Sequence, residues 1–146
     1  MKRISWFAFV FFFSGILASC KNDNDNAQER IENNVASGTW RITEFIDSGD
    51  PETHHFTGFN FDFDESGVVT ASNGTLTYTG TWSITDSNSD DDGLDDLDFN
   101  LSFPQTNEFQ DLNDDWDILS ESSTQIELTD VSGGGGGTDF LTFGKN

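Results

Sequence analysis

The residue types able to do chemistry are few, and most of them are acids. Asn88, Asp90, Asp92 and Asp96 stand at positions 1, 3, 5 and 9 of a stretch that has Gly93 at position 6. Oxygen ligands at this spacing, around a glycine that permits a sharp turn, follow the first part of a calcium loop. Position 12, where a bidentate acid belongs, is Phe99. The stretch therefore reads either as a weak calcium site completed by water or as a solvated, charged hairpin tip. His54 and His55 are the two histidines. Adjacent residues on a strand point to opposite faces, so the pair does not converge on one metal, and loop-surface positions are expected. No serine sits in a Gly-x-Ser-x-Gly elbow, and no two carboxylates stand out as occupying different environments, as acid–base catalysis requires. The residues favour a binding or structural module over an enzyme, with no cofactor implied unless calcium is one.

The single cysteine, Cys20, has no partner for a disulfide. What precedes it explains it. Lys2 and Arg3 give a positive start, Ile4 to Leu17 is almost wholly apolar, and the small residues Ala18 and Ser19 follow. This is the layout of a secretory signal, and the apolar run is shorter than the ~20 residues of a spanning helix. Leu17-Ala18-Ser19-Cys20 resembles the lipobox of bacterial lipoprotein signals. The resemblance implies cleavage before Cys20 and acylation of its thiol, with palmitate among the chains. Each buried methylene adds about 0.8 kcal/mol, and stable anchoring takes two or more chains. The expected product is a lipoprotein held to a membrane, the outer membrane of a Gram-negative cell, facing the periplasm or the surface.

Cleavage removes Lys2 and Arg3 and no acid, so the net charge of −21 becomes about −23. Such a balance argues against nucleic acid and against anionic lipid surfaces, both of which select basic patches. Residues 20–37 are polar and read as the acylated cysteine and a flexible tether, with room for one helical turn around Gln28 to Asn33. Cys20-Lys21-Asn22-Asp23-Asn24-Asp25 resembles the short Lys-then-acidic export signals of some surface lipoproteins; a plain hydrophilic spacer fits as well.

From Gly38 the period becomes two. Leu76, Tyr78, Gly80, Trp82 and Ile84 alternate with Thr75, Thr77, Thr79, Thr81, Ser83 and Thr85, giving one apolar and one hydroxyl face. Phe59, Phe61 and Phe63 repeat the pattern, as do Leu97, Phe99, Leu101 and Phe103. Turn signals at Asp64–Gly67 and Asn73-Gly74 separate the runs. The expected strands are 38–47, 55–64, 68–72, 75–85, 95–103, 114–121, 124–131 and 138–144, with only 105–113 having room for a helix. Short connections pair each strand with the one before it. Eight amphipathic strands abolish their edges by closing into an antiparallel up-and-down β-barrel, with an open two-sheet sandwich as the alternative.

Gly38-Thr39-Trp40 opens the first strand, Phe59/Phe61/Phe63 precede a glycine turn, Gly80-Thr81-Trp82 sits mid-barrel, and Trp116-Asp117-Ile118 falls near the end. This ordered set is similar to bacterial lipocalin-like lipoproteins over residues 38–146. The resemblance implies an eight-stranded lipocalin-like barrel. Lipocalins place an arginine late in the barrel against the first tryptophan; here no arginine follows Arg41, and Lys145 is the available substitute. Eight strands enclose either packed side chains or one small ligand. Two expectations stand side by side. In one, Trp40, Phe59, Phe61, Tyr78, Trp82, Phe99 and Trp116 line a cavity for a small apolar ligand. In the other, the same rings fill the barrel, which serves as a surface structural or interaction module.

Overall fold

The computed structural model describes residues 23–87, 94–131 and 137–146. Helix α1 (Asp23–Val35) comes first. It is followed by strands β1 (Thr39–Asp47), β2 (Asp50–Pro51), β3 (Asn60–Phe63), β4 (Val68–Ser72), β5 (Thr77–Asp86), β6 (Leu97–Ser102), β7 (Asp114–Glu121), β8 (Gln125–Val131) and β9 (Thr138–Lys145). Short 3-10 turns occupy Thr53–Phe56, Leu94–Asp96 and Glu108–Leu112.

From β3 to β9 each strand pairs antiparallel with the next, β3 pairs with β1, and β1 closes the ring on β9. The stub β2 folds back on the end of β1 through Ile46↔Pro51 and Asp47↔Asp50. The result is a closed barrel of eight staves, as the alternation predicts. Strand β5 shows why: Gly80, Trp82 and Ile84 are buried, while Thr79, Thr81, Ser83 and Thr85 between them are exposed. The β4–β5 turn is set by Asn73, whose Oδ1 accepts from Thr75 N at 3.0 Å and Leu76 N at 2.8 Å. Gly74 supplies the left-handed conformation the turn needs (φ +86°).

Several boundaries differ from the sequence expectation. The strand expected over 55–64 begins only at Asn60, because Thr53–Phe56 coils and drives Phe56 into the core. The strand expected from 75 begins at Thr77, because Asn73 holds the two preceding amides in the turn. The larger correction concerns the expected flexible tether. Within 20–37, residues 23–35 form a helix, and Ile31 and Val35 are fully buried against the barrel with Ala27 packed beside them. The i, i+4, i+8 spacing of Ala27, Ile31 and Val35 makes one narrow apolar stripe on a polar segment. The barrel supplies the surface that the segment lacks by itself.

Candidate functional site

One end of the barrel gathers the start of β1, the ends of β5, β7 and β9, and helix α1. The helix is pinned there by side-chain hydrogen bonds to several strands. Gln28 Nε2 donates to Ile84 O (2.9 Å), and Arg30 and Asn34 both donate to the Glu121 carboxylate, whose side chain is 2 % exposed. Trp40 Nε1 donates to Val35 O (2.8 Å). Lys145 Nζ donates to Asn34 O and Oδ1 (3.2 Å each) and to Ser37 Oγ (2.9 Å). A buried carboxylate is tolerated because a guanidinium and an amide both serve it.

The opposite end, where a barrel of this type would have its mouth, is filled by Phe109 from the 3-10 turn between β6 and β7. Its ring lies 5.4 Å from Phe56, 5.0 Å from Phe59, 6.1 Å from Phe61, 4.6 Å from Tyr78 and 5.0 Å from Phe103, centroid to centroid. Asn107 caps that turn by accepting from Phe109 N, and its amide donates to Tyr78 Oη (3.2 Å). Leu112, from the same turn, is fully buried.

Between the two ends the rings stack on one another. Phe61 and Phe63 both meet Phe143 edge-on at 5.4 and 5.5 Å, Phe63 meets Trp82 at 5.5 Å and Phe99 at 5.7 Å, and Phe45 meets Trp116 at 6.4 Å. Of the seven expected lining residues, Trp40, Phe59, Phe61, Trp82, Phe99 and Trp116 are buried in one continuous core, with half-buried Tyr78 against it. The indoles are satisfied within the protein: Trp82 Nε1 donates to Asp64 O (2.9 Å) and Trp116 Nε1 to Leu112 O (3.1 Å). As the rings lie in this structure they are packed core rather than the walls of a cavity: all but Trp40 meet other rings, and Trp40 is buried beneath the Lys145 ammonium. Phe109 and Leu112 escaped sequence reasoning, since their i, i+3 spacing is the only apolar signal in a polar loop.

The outer surface carries the charge. On β6 and β7, Asp98 faces Asp117 and Asn100 faces Asp115. Partial burial, together with Asp115, Asp117 and Asp86, pushes Asp98 above the usual carboxylate range. Asp114, at the start of β7, is raised to about 6, first by burial and then by the Asp115 side chain and the charge of Asp130. Asp64 is lowered by hydrogen bonds from Ser66. These causes are structural proximity and desolvation, and they mark a crowded acidic sheet face.

Besides a groove of about 280 Å³ over β5 and β6, lined by residues that include Thr81, Ser83, Asn100, Ser102 and Asp114, two further shallow grooves break this surface. One, about 370 Å³, lies between α1 and the β3–β4 turn and is lined by Glu32, Asn33, Glu65, Ser66, Gly67, Trp82 and Ser83. The other, also about 370 Å³, opens where β1 and β3 diverge and is lined by Arg41, Ile42, Phe56, Thr57, Gly58, Phe59, Asn60 and Asn146. His54 and His55 sit on the Thr53–Phe56 turn with ring centroids 4.0 Å apart, and His55 Nδ1 is 4.0 Å from Glu108 Oε1. Among the described residues no group of three or more His, Cys, Asp or Glu is arranged to hold a metal. The calcium candidates Asn88, Asp90 and Asp92 lie outside the described residues. Asp96 ends a 3-10 turn, where its carbonyl accepts from Ser87 N (2.8 Å) and Oγ (2.9 Å). Cys20 and the signal segment 1–19 also lie outside the described residues.

No family model matches the chain, and no curated protein matches it. Among solved structures it is similar to the 1.00 Å crystal structure of a DUF4847 family protein from Bacteroides vulgatus ATCC 8482. The TM-score is 0.52 at 24 % identity, over 80 % of this chain and 97 % of that one. The likeness is one of fold: this chain has the barrel architecture of that protein.

Proposed function

We propose that this protein is a lipid-anchored envelope lipoprotein, acylated at Cys20, whose lipocalin-like barrel works through its outer surface as an interaction module. The observation that carries this reading is the Phe109 plug. Five rings converge on Phe109 at the end where a carrier would be open, and α1 occupies the other end. A lipocalin-type carrier of small apolar molecules keeps one end open and its interior only partly filled, since eight strands leave room for one small ligand at most. Rings packed this closely leave function to the acidic exterior. The net charge of about −23 left after cleavage keeps the surface solvated and favours basic over acidic partners at long range. Lys145 over Trp40 takes the place that lipocalins give to a late arginine and supports the lipocalin-like reading.

The interior is tested by titration with N-phenyl-1-naphthylamine, a dye that fluoresces in apolar cavities. The expected result is no saturable signal. Stoichiometric binding displaced by fatty acid would restore the carrier reading. The anchor is tested by metabolic labelling with alkynyl palmitate: label on the wild-type protein and none on Cys20→Ser is expected, and an unlabelled wild type would remove the anchor.

A further inference from the structure

Six large apolar side chains are exposed among the described residues, and half of them share one stretch of the outer wall. Leu119 (55 % exposed), Val131 (65 %) and Phe140 (37 %) lie on the neighbouring strands β7, β8 and β9. Successive side chains on a strand point to opposite faces. Phe45, Leu128 and Leu141 go into the core, so Ile46, Thr129 and Phe140 beside them point outward. The register sets these in one row: Pro51 opposite Ile46, Ile46 opposite Phe140, Phe140 opposite Thr129, and Thr129 opposite Asp117. Diagonal neighbours on a sheet face lie about 7–8 Å apart, within reach of an aromatic ring. Val131, diagonal to Phe140, therefore adjoins the row, and Leu119 stands at the β7 bulge two residues beyond Asp117.

Two properties set this strip apart. It is already nearly dry, since Thr129 and Thr142 face outward and are nonetheless buried by their neighbours. The Thr129 hydroxyl donates to Asp139 O at 2.9 Å, so covering it strands no donor. The strip is also rimmed by one sign of charge. In the next row Glu44 stands opposite Thr142 and Thr142 opposite Glu127, while Asp117 ends the apolar row itself. Neither row holds a lysine or an arginine, and Arg41 stands a row further on, opposite Gly144. An apolar centre inside a polar rim is the layout in which a few central side chains carry most of the binding energy.

We propose that this strip docks a basic partner protein, through a segment in which lysine or arginine flanks leucine or an aromatic residue. The apolar side chains of that segment cover Phe140, Val131 and Leu119, and its cations meet Glu44, Glu127 and Asp117. Charge decides among the occupants open to an apolar face. A second copy brings about −23 of its own and sets carboxylate rim against carboxylate rim, and an anionic membrane opposes the same field. A basic segment gains from the centre and the rim together. The inference rests on the outward-facing reading of the barrel and fails separately from it. A peptide bound at another outer patch overturns the strip and leaves the interaction module standing, whereas saturable entry of dye into the interior removes the module reading itself.

The test is two-dimensional NMR of the ¹⁵N-labelled full chain near physiological salt, titrated with acetylated and amidated Lys-Lys-Leu-Phe-Leu-Lys-Lys. Saturable shifts centred on the amides of Ile46, Leu119, Val131 and Phe140 are expected. A peptide with serine in place of Leu and Phe, and one with glutamate in place of Lys, should each bind at least roughly tenfold more weakly. Phe140→Ser should lose roughly tenfold in affinity and Val131→Ser, at a more exposed site that leaves the fold intact, several-fold. Glu44→Gln/Glu127→Gln should weaken binding and flatten its salt dependence. Equal binding of the serine peptide, full affinity in both Phe140→Ser and Val131→Ser, or shifts centred elsewhere would overturn the proposal. So would a dimer in sedimentation equilibrium that Val131→Ser abolishes, which would give the strip to a second copy.

Discussion

Lys145, next to last in the chain, places its Nζ 4.6 Å from the centroid of the Trp40 ring, whose own indole N–H donates to Val35 O. Trp40 thus joins the first strand to the helix before it and to the last strand after it. The ammonium also holds the helix end through Asn34 and Ser37. The barrel's closure and the docking of α1 are one construction.

Removing this ammonium should loosen both together. Lys145→Ala is expected to cost about 1–2 kcal/mol, a cation–π contact of about 0.5–2 kcal/mol plus the lost donors to the helix end. Denaturant melts measure the loss. Amide exchange should quicken across residues 30–35 ahead of the barrel strands, and unchanged protection of that helix would separate the two roles. Lys145→Arg should retain most of the stability.

The contrast between legible and hidden parts of the chain follows from the range of the interactions involved. Alternation in β5 or β6 is local, so Trp82, Ile84, Phe99 and Leu101 declare their face from sequence spacing alone. The turns at Asp64–Gly67 and Asn73-Gly74 are equally local, and the strand boundaries follow from them within a few residues. Helix α1 is not legible because its order depends on a surface built by strands 56 to 111 residues later: Ile84, Glu121 and Lys145. Phe109 hides for the same reason, since a phenylalanine in a polar loop reveals nothing until Phe56, Phe59 and Tyr78 surround it.

Phe109 offers the sharpest manipulation of the interior. Phe109→Ala removes the ring on which five others converge and should destabilise the barrel by about 3–5 kcal/mol, the usual loss for a large-to-small change in a core. If the fold survives, the cavity left behind is apolar and faces the loop end, so N-phenyl-1-naphthylamine should bind the variant saturably while leaving the wild type dark. Equal dye response in both would show that Phe109 is not what fills the mouth.

Gly80 is fixed by crowding rather than by backbone conformation. A β-carbon there would run into Ser102 O and approach the Phe103 ring to 2.9 Å. Gly80→Ala should therefore cost about 1–3 kcal/mol through forced displacement of β6. Thr81→Ala, on the exposed face next to it, should stay within about 0.5 kcal/mol. Thermal or denaturant melts of the two variants side by side decide it, and equal stability would mean that β6 yields without strain.

Asp114 sets the direction of the pH response. Its value in the folded protein is about 6 against an ordinary 3.8, raised first by burial, then by Asp115 and Asp130. Between those values the folded protein holds more protons than the unfolded chain, so stability falls as pH rises through that window. The favourable contribution of the protonated group is complete below about pH 4 and gone above about pH 6. Asp98 and Asp111 are raised as well, by burial first and by neighbouring acids next, and push the same way. Asp64 is lowered by Ser66 and acts in the opposite sense, losing its contribution only as the solution becomes more acidic than its ordinary value. Asp114→Asn keeps the shape and removes the charge. Because the side chain is partly exposed and screened by solvent, the gain expected at pH 7.5 is held to about 1 kcal/mol. At pH 4 the variant and wild type should agree within a few tenths. Urea melts at pH 4, 5, 6 and 7.5 trace the window, and a stability difference that does not grow between pH 4 and 7.5 would show that the Asp114 carboxylate is not the group responsible.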